Sequence, residues 1–338
     1  MPTTALRVAC AALVFVLLPG CSDGSDGSGD EAAGAAPAGS SATAAEGEGG
    51  EFSLLIYNVA GLPAEISTVD PAAHIPMISP LVDPYDLVLT QEDFDWWGEL
   101  AGGFDFVNYH DRLRAQATHP YKSAKHPGPE AVGLDTTARP APLIGDGQGI
   151  MSRFPFADER RVPWVGCFGG IDTSDGGAAD CLAMKGFAVA TVTLADGMEV
   201  DVYTLHVEAG GTETDQALQA DQAGQLASFI ADHSAGRAVI VGGDTNLHTG
   251  GDHPDGGGAA DSEIWERFLA DTGLADACAA TDCPDPSNID KVAFRSSDAM
   301  SLTALSHDVP ADRFVDPAGE PLSDHDPVVV DFAWQSAR

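Results

Sequence analysis

Residues 238–246 read Ala-Val-Ile-Val-Gly-Gly-Asp-Thr-Asn: a short aliphatic run that stops at two glycines and turns polar. Such a run, bounded by glycine, describes a buried strand, and it leaves Asp244 and Asn246 at the strand's end. The same arrangement recurs outward along the chain. LLIYN (54–58) closes on Asn58, DLVLTQE (86–92) on Glu92 and DVYTLH (201–206) on His206. In the opposite sense, Asp290 opens the run IDKVAF (289–294), and Asp324 and His325 precede the last strand in SDHDPVVVDF (323–332).

Strand-like runs are expected at Phe52–Asn58, Leu87–Thr90, Gly149–Ser152, Phe187–Leu194, Val200–His206, Ala238–Gly243, Lys291–Phe294 and Val328–Phe332. The 3.6-residue period of Leu218, Gln222, Leu226, Phe229 and Ile230 predicts a helix over Asp215–His233, capped by Thr214. A second helix fits Ser262–Asp271. Strands and helices interleave, giving an α/β or α+β layered fold. The Gly-, Pro- and Asp-rich stretches 110–147, 166–180, 248–261 and 296–323 are read as loops, and long loops in one domain mark a binding face. In such folds strand ends converge on one rim, so polar residues distant in sequence can meet there.

The chain has 338 residues, 44% of them hydrophobic, with no internal repeat or composition break after residue 51. One catalytic domain over 51–338 is therefore expected. Ahead of it, Arg7 precedes an apolar run from Val8 to Leu18 that is too short to span a bilayer and ends in Leu18-Pro19-Gly20-Cys21. A charge, a short apolar segment and a small residue before the cut describe an export signal over 1–20. The ending resembles a lipoprotein box with Cys21 as the acylated residue; an ordinary cleaved signal is the alternative. Residues 22–50 hold Gly, Ser, Ala and acids without a large apolar side chain, the composition of a flexible tether. The expected location is extracytoplasmic, membrane-anchored or secreted, with no protein partner implied.

Of six cysteines, Cys167, Cys181, Cys278 and Cys283 remain once Cys10 leaves with the signal and Cys21 takes a lipid. An even number in an oxidising compartment implies disulfides, and the two local pairings, Cys167–Cys181 and Cys278–Cys283, are expected. The chain carries 16 Lys and Arg against 52 Asp and Glu, a formal charge of −36. That field repels phosphate backbones and disfavours general nucleic-acid binding, although a bound cation reverses the sign locally.

Carboxylates gathered with an amide oxygen make a hard site that suits Mg²⁺, or Mn²⁺ or Ca²⁺, and grips phosphate. A histidine beside a carboxylate can take a proton from water, while a second histidine and an amide hold growing charge on phosphoryl oxygens. LLIYNVAGLP, DLVLTQE, QGIMSRFPF, MKGFAVATVTL, VYTLHVEAG, VGGDTNLH, NIDKVAF and SDHDPVVVDF, in that order over about 51–333, resemble the endonuclease/exonuclease/phosphatase superfamily. DLVLTQEDFD and the cysteines before the KGF strand resemble its secreted sphingomyelinase and phospholipase C-like branch.

The resemblance implies a four-layer sandwich of two packed mixed β-sheets flanked by helices, with a divalent metal at the shared rim. It implies Glu92 as principal metal ligand, with Asn58 near it and Asp324 supporting the metal side. It implies His325 as general base, oriented by Asp290 or Asp244, and His206 and Asn246 as holders of the phosphate, His206 being also the candidate acid. Arg153 and Lys291 are read as phosphate- or substrate-binding. The expected activity is hydrolysis of a phosphodiester, with a phospholipid headgroup favoured over nucleic acid; an exported deoxyribonuclease and an inactive surface binding module are the alternatives.

Four further features have weaker readings. Arg112, Arg114, Lys122 and Lys125 form a basic island that either recruits an anionic substrate or is a solvated loop. Trp96 and Trp97 are read as packing rather than a ligand platform. Asp252, His253 and Asp255 do not match a calcium loop. The stretch 296–323 holds Phe314 alone among aromatics, so a membrane-inserting aromatic hairpin is not expected there.

Overall fold

Two strands that run side by side set the frame: β1 (Gly49–Asn58) lies parallel to β2 (Leu87–Gln91), pairing Leu54 with Leu87 and Asn58 with Gln91. They belong to a computed structural model that describes residues 49–62, 67–95, 108–137, 139, 142–170, 177–250 and 258–337. The expected export segment, Cys21, nearly all of the tether, Trp96, Trp97, Asp252, His253 and Asp255 lie outside the described residues. Gly49 and Gly50 already pair in β1, so the domain begins slightly ahead of the expected boundary at 51.

Along the chain, α1 (Pro71–Leu81) joins β1 to β2, and α2 (Tyr109–Arg114), β3 (Tyr121–Lys122) and β4 (Gly149–Ser152) complete the first half. Then come β5 (Phe156–Pro163), β6 (Gly186–Ala195), β7 (Met198–His206), α3 (Glu213–His233), β8 (Ala238–Asp244) and α4 (Ala259–Thr272). The last elements are β9 (Ala275–Asp276), α5 (Ala277–Thr281), β10 (Asp290–Arg295), β11 (Met300–Asp308) and β12 (Val328–Ser336). They form two six-stranded mixed sheets, ordered β11-β12-β1-β2-β4-β3 and β5-β6-β7-β8-β10-β9.

The period-two alternation of side chains assigns each strand residue to a layer. Leu54, Ile56, Leu87 and Leu89 meet Val200, Val202, Ile240 and Val292 between the sheets. Leu55, Tyr57 and Val88 point the other way and pack with Ile75 and Ile78 of α1 and Leu113 of α2. Phe187, Tyr203, Val239 and Val241 pack with Leu226 and Ile230 of α3 and Trp265 and Phe268 of α4. Helix, sheet, sheet, helix: this is the expected four-layer sandwich. Burying each such side chain contributes roughly 1.5–3 kcal/mol.

Several local expectations are corrected. α3 is capped by Thr212, not Thr214: the Thr212 hydroxyl accepts from Asp215 N (3.3 Å), and the Asp215 carboxylate accepts from Thr212 N (2.9 Å). α4 reaches Ala259 and Thr272, beyond Ser262–Asp271. The stretch read as a loop over 110–147 contains most of α2 and all of β3. The stretch 296–323 contains β11, whose Met300, Leu302 and Ala304 are buried while Ser301, Thr303 and Leu305 are exposed. β11 is an edge strand; its register against β12 shifts between Ala304 and Ser306, leaving Leu305 as one extra residue. Both local disulfides, Cys167–Cys181 and Cys278–Cys283, are present.

Candidate active site

Strand direction decides which residues meet. β1, β2, β7 and β8 end at one rim, and β4, β6, β10 and β12 begin there, because parallel and antiparallel pairings alternate around this set. Asn58, Glu92, His206, Asp244, Asn246, Asp290 and His325 all come to that rim. Gly243, at φ 147°, leads into Asp244 where β8 passes close to the Leu205 backbone, a place any side chain would obstruct. Glu92 and Asn246 adopt left-handed backbone, φ 59° and 51°, immediately beyond their strands.

Asn58 sits at the centre. Its Nδ2 donates to Glu92 Oε1 (3.1 Å) and Asp244 Oδ2 (3.0 Å) and lies 3.3 Å from His325 Nε2, while its Oδ1 accepts from Ala60 N. Asn58 therefore presents its NH₂ to the carboxylates, and ligation through its oxygen needs an amide flip. His325 Nδ1 meets Asp290 Oδ2 at 2.8 Å, and its Nε2 lies 3.8 Å from Asp244 Oδ2. Asp290, not Asp244, thus makes the orienting bond. His206 Nε2 lies 3.4 Å from Asp244 Oδ2 and 3.9 Å from Glu92 Oε1, which supplies the acidic neighbours the sequence does not locate. Its buried Nδ1 has no hydrogen-bond partner among the described residues. Asn246 N donates to Asp244 Oδ1, and its Nδ2 donates to Val207 O, leaving one amide hydrogen.

Burial dominates the electrostatics. It pushes the Glu92 carboxyl up to about 7 against the pull of Lys185 and His325, and Asp244 up to about 6, again against His325. Burial, with the charges of Lys185 and His325, holds His206 neutral, well below the ordinary histidine value. Burial opposes charge on His325 too, but Asp290, Asp244 and Glu92 outweigh it and hold that ring protonated. Glu92, His206 and Asp244 offer ligand atoms within 4.8 Å of one another, as do Asp244, Asp290 and His325. Crowded carboxylates driven toward neutrality form a donor set that a small hard cation relieves, so these residues fit a divalent metal.

Three expected site residues lie elsewhere. Arg153 follows β4 at the opposite rim, where it reaches the Asp83 carbonyl and Asp86. Lys291 points away from Asp290 because adjacent strand residues alternate; its Nζ bonds Thr249 Oγ1 and the carbonyls of Pro286 and Asn288. Asp324 is exposed and accepts from Thr68 Oγ1 (2.7 Å). Of the basic island only Arg114 is buried, paired with Asp93; exposed Lys125 pairs with Asp95, half-buried Lys122 caps the Arg114 and Ala117 carbonyls, and Arg112 lies over the Tyr109 ring.

One residue at the site goes unassigned by the sequence reading. Lys185, in the turn before β6, is buried, pairs with Asp180 and faces the same cavity as the cluster. A lone lysine at a strand start, in a chain of charge −36, is the signal that points to it. Buried Arg139 fixes that turn by donating to the carbonyls of Trp164, Lys185, Asp180 and Ala183. The cavity holds about 590 Å³, and its lining combines Glu92, His206, Asp244 and His325 with the apolar Leu62, Phe94, Leu143, Ile144 and Leu182.

The chain is 31% identical over 302 residues to sphingomyelinases of Mycobacterium bovis and Mycobacterium tuberculosis, a match covering 84% of this chain and 53% of each of theirs. It spans about half the length of these curated relatives. Among solved structures it resembles beta toxin of Staphylococcus aureus with bound magnesium ions, at TM-score 0.55 and 15% identity over 83% of this chain and 99% of that one. It also resembles D. rerio TDP2 complexed with a single-strand DNA product, at TM-score 0.51 and 16% identity over 83% of this chain and 98% of that one. At such identities these two structures share the fold. The model of the Endonuclease/Exonuclease/phosphatase family matches residues 55–325, and the chain belongs to that family.

Proposed function

We propose that this protein is an exported, metal-dependent phosphodiesterase that hydrolyses a phospholipid headgroup ester. The observation that carries the reading is the meeting of Glu92, Asp244 and His325 around the Asn58 amide, in a cavity that is otherwise lined largely by apolar side chains. Family membership and the sphingomyelinase relatives support phosphodiester hydrolysis, and the apolar lining with the −36 charge favours a lipid over a polyanion. The two disulfides support an oxidising compartment, and the Leu-Pro-Gly-Cys21 segment supports a lipid anchor.

Glu92 and Asp244 would hold the cation, Mg²⁺ by the chemistry of the donors, with Asn58 after an amide flip. Such a cation supplies charge that polarises the scissile phosphate. Asp290 accepts a hydrogen bond from His325 Nδ1–H, and once the surrounding carboxylates are neutralised the ring releases its Nε2 proton to solvent, so that Nε2 can take a proton from the attacking water. Neutral His206 and the free hydrogen of Asn246 hold phosphoryl oxygens, and Lys185 adds the positive charge within the cavity.

The deciding experiment assays the purified protein on sphingomyelin, phosphatidylcholine, plasmid DNA and a chromogenic bis-ester, with Mg²⁺ and with chelator. Mg²⁺-dependent turnover of a phospholipid is expected. Turnover confined to DNA overturns the substrate, and no turnover with Mg²⁺, Mn²⁺ or Ca²⁺ overturns the enzymatic reading.

A further inference from the structure

Arg114 of the basic island, which sequence alone offers as a recruiting surface, is built into the turn that carries Glu92. Glu92 leaves β2 in left-handed backbone, a conformation that an unbranched acidic residue adopts only when its surroundings impose it. The next residue, Asp93, is fully enclosed. Its Oδ1 accepts from Thr90 Oγ1 (3.2 Å), and its Oδ2 accepts from Arg114 Nη1 (2.5 Å) with His110 Nδ1 at 3.5 Å. Arg114 also bonds the His110 carbonyl and Ser123 Oγ, and that hydroxyl accepts from Ile150 N of β4. From the other side, Gly147 O accepts from Asp93 N (3.1 Å). Gly147 stands at φ 63°, and a Cβ there would lie 2.5 Å from the Phe94 ring and 3.1 Å from Glu92 Cα.

We infer that the buried Arg114–Asp93 ion pair is a positioning device, clamping the turn after β2 so that Glu92 points its carboxylate at Asp244 and the cation held there. Neither Arg114 nor Asp93 lines the cavity, so both act through Glu92. The inference rests on Glu92 being a metal ligand. A buried ion pair is weak support for stability by itself; the role assigned to it here is to hold one geometry, and a ligand set kept at fixed separation is where geometry counts.

The test measures Mg²⁺ binding to the full chain by calorimetry, together with the melting temperature in chelator. D93N/R114Q removes both charges without stranding either, and Arg114→Lys keeps the charge but loses the two-pronged guanidinium. Arg237→Gln serves as control: it removes an ion pair to buried Asp201 at the far end of the second sheet. The expected result is a Mg²⁺ dissociation constant raised about 10- to 100-fold in D93N/R114Q and less in Arg114→Lys, with Arg237→Gln at the wild-type value. If the double variant does not fold, Arg114→Lys decides alone. Wild-type affinity in a folded Arg114 variant, or an equal loss in Arg237→Gln, overturns the clamp. A wild-type protein that binds no Mg²⁺ instead removes Glu92 as a ligand, and the clamp with it.

Discussion

His325 Nδ1 lies 2.8 Å from Asp290 Oδ2, and this contact joins residues 35 apart in sequence, Asp290 opening β10 of the second sheet and His325 standing in the segment that leads into β12 of the first. It fixes the ring so that Nε2 faces Asn58 and Asp244. His325→Ala is expected to lower kcat about 10²- to 10⁴-fold while the circular dichroism spectrum stays that of the wild type. Asp290→Asn keeps the shape but loses the orienting charge, for a smaller loss of about 10- to 100-fold. Full activity in His325→Ala removes His325 as the base, and full activity in Asp290→Asn removes Asp290 as its orienting partner.

The carboxylates make stability depend on pH and metal together. Glu92, with an ordinary value of 4.5, titrates at about 7 in the fold, so the folded state holds the proton more tightly than the unfolded chain. Its stabilising share is fully present below about pH 4.5 and is lost as pH rises through 7, on the order of 3 kcal/mol. Asp244 adds a change of the same sign, lost through about 6. In chelator the wild type should therefore lose more stability than Glu92→Gln between pH 5 and pH 8. Mg²⁺ at a hundred times its dissociation constant should return about 2.7 kcal/mol at pH 8. Thermal scans check this; Glu92→Gln should erase both the pH slope from this group and the Mg²⁺ response.

The Cys167–Cys181 bridge closes a 14-residue separation next to Asp180, whose carboxylate pairs with Lys185. Replacing both cysteines with serine should cost about 3 kcal/mol in urea unfolding, against about 2 kcal/mol for the 5-residue separation of Cys278–Cys283. Activity should fall with the first bridge and hold with the second. Equal activity in both double variants would separate the bridge from the site.

Leu143 is 43% exposed and belongs to the apolar lining of the cavity. Leu143→Asp should lower kcat/KM on a phospholipid about 10- to 200-fold while sparing the chromogenic bis-ester. An equal loss on both substrates would assign Leu143 to folding rather than to the lining.

Much of the candidate cluster is legible because a polar residue at the end of an aliphatic strand can be seen in one dimension: Asn58, Glu92, His206 and Asp244 close such runs, and Asp290 opens one. Arg153 and Lys291 lie away from the cluster for reasons of direction. Arg153 follows the far end of β4, and Lys291 sits one residue past Asp290 on the opposite face. Charge type alone does not tell these from phosphate ligands. Elements with internal contradictions were missed: α1 contains Pro76 and Pro80, and the edge strand β5 carries Asp158, Glu159, Arg160 and Arg161. In β11 the alternation of Met300 to Leu305 was present in the sequence, but the surrounding Ser, Asp and Pro residues outweighed it. Arg114 was beyond reach, since its partner Asp93 is distinguished from a surface acid only by tertiary burial.

The extra residue Leu305 on the outermost strand of the first sheet has a bearing on how copies of the protein behave when concentrated. An unbroken edge would offer a straight row of free amide and carbonyl groups as a template for another chain. The bulge interrupts that row and bends it, even though Leu305 itself is 48% exposed. The single inserted leucine thus makes this edge a poorer template for a second copy than a regular strand would be.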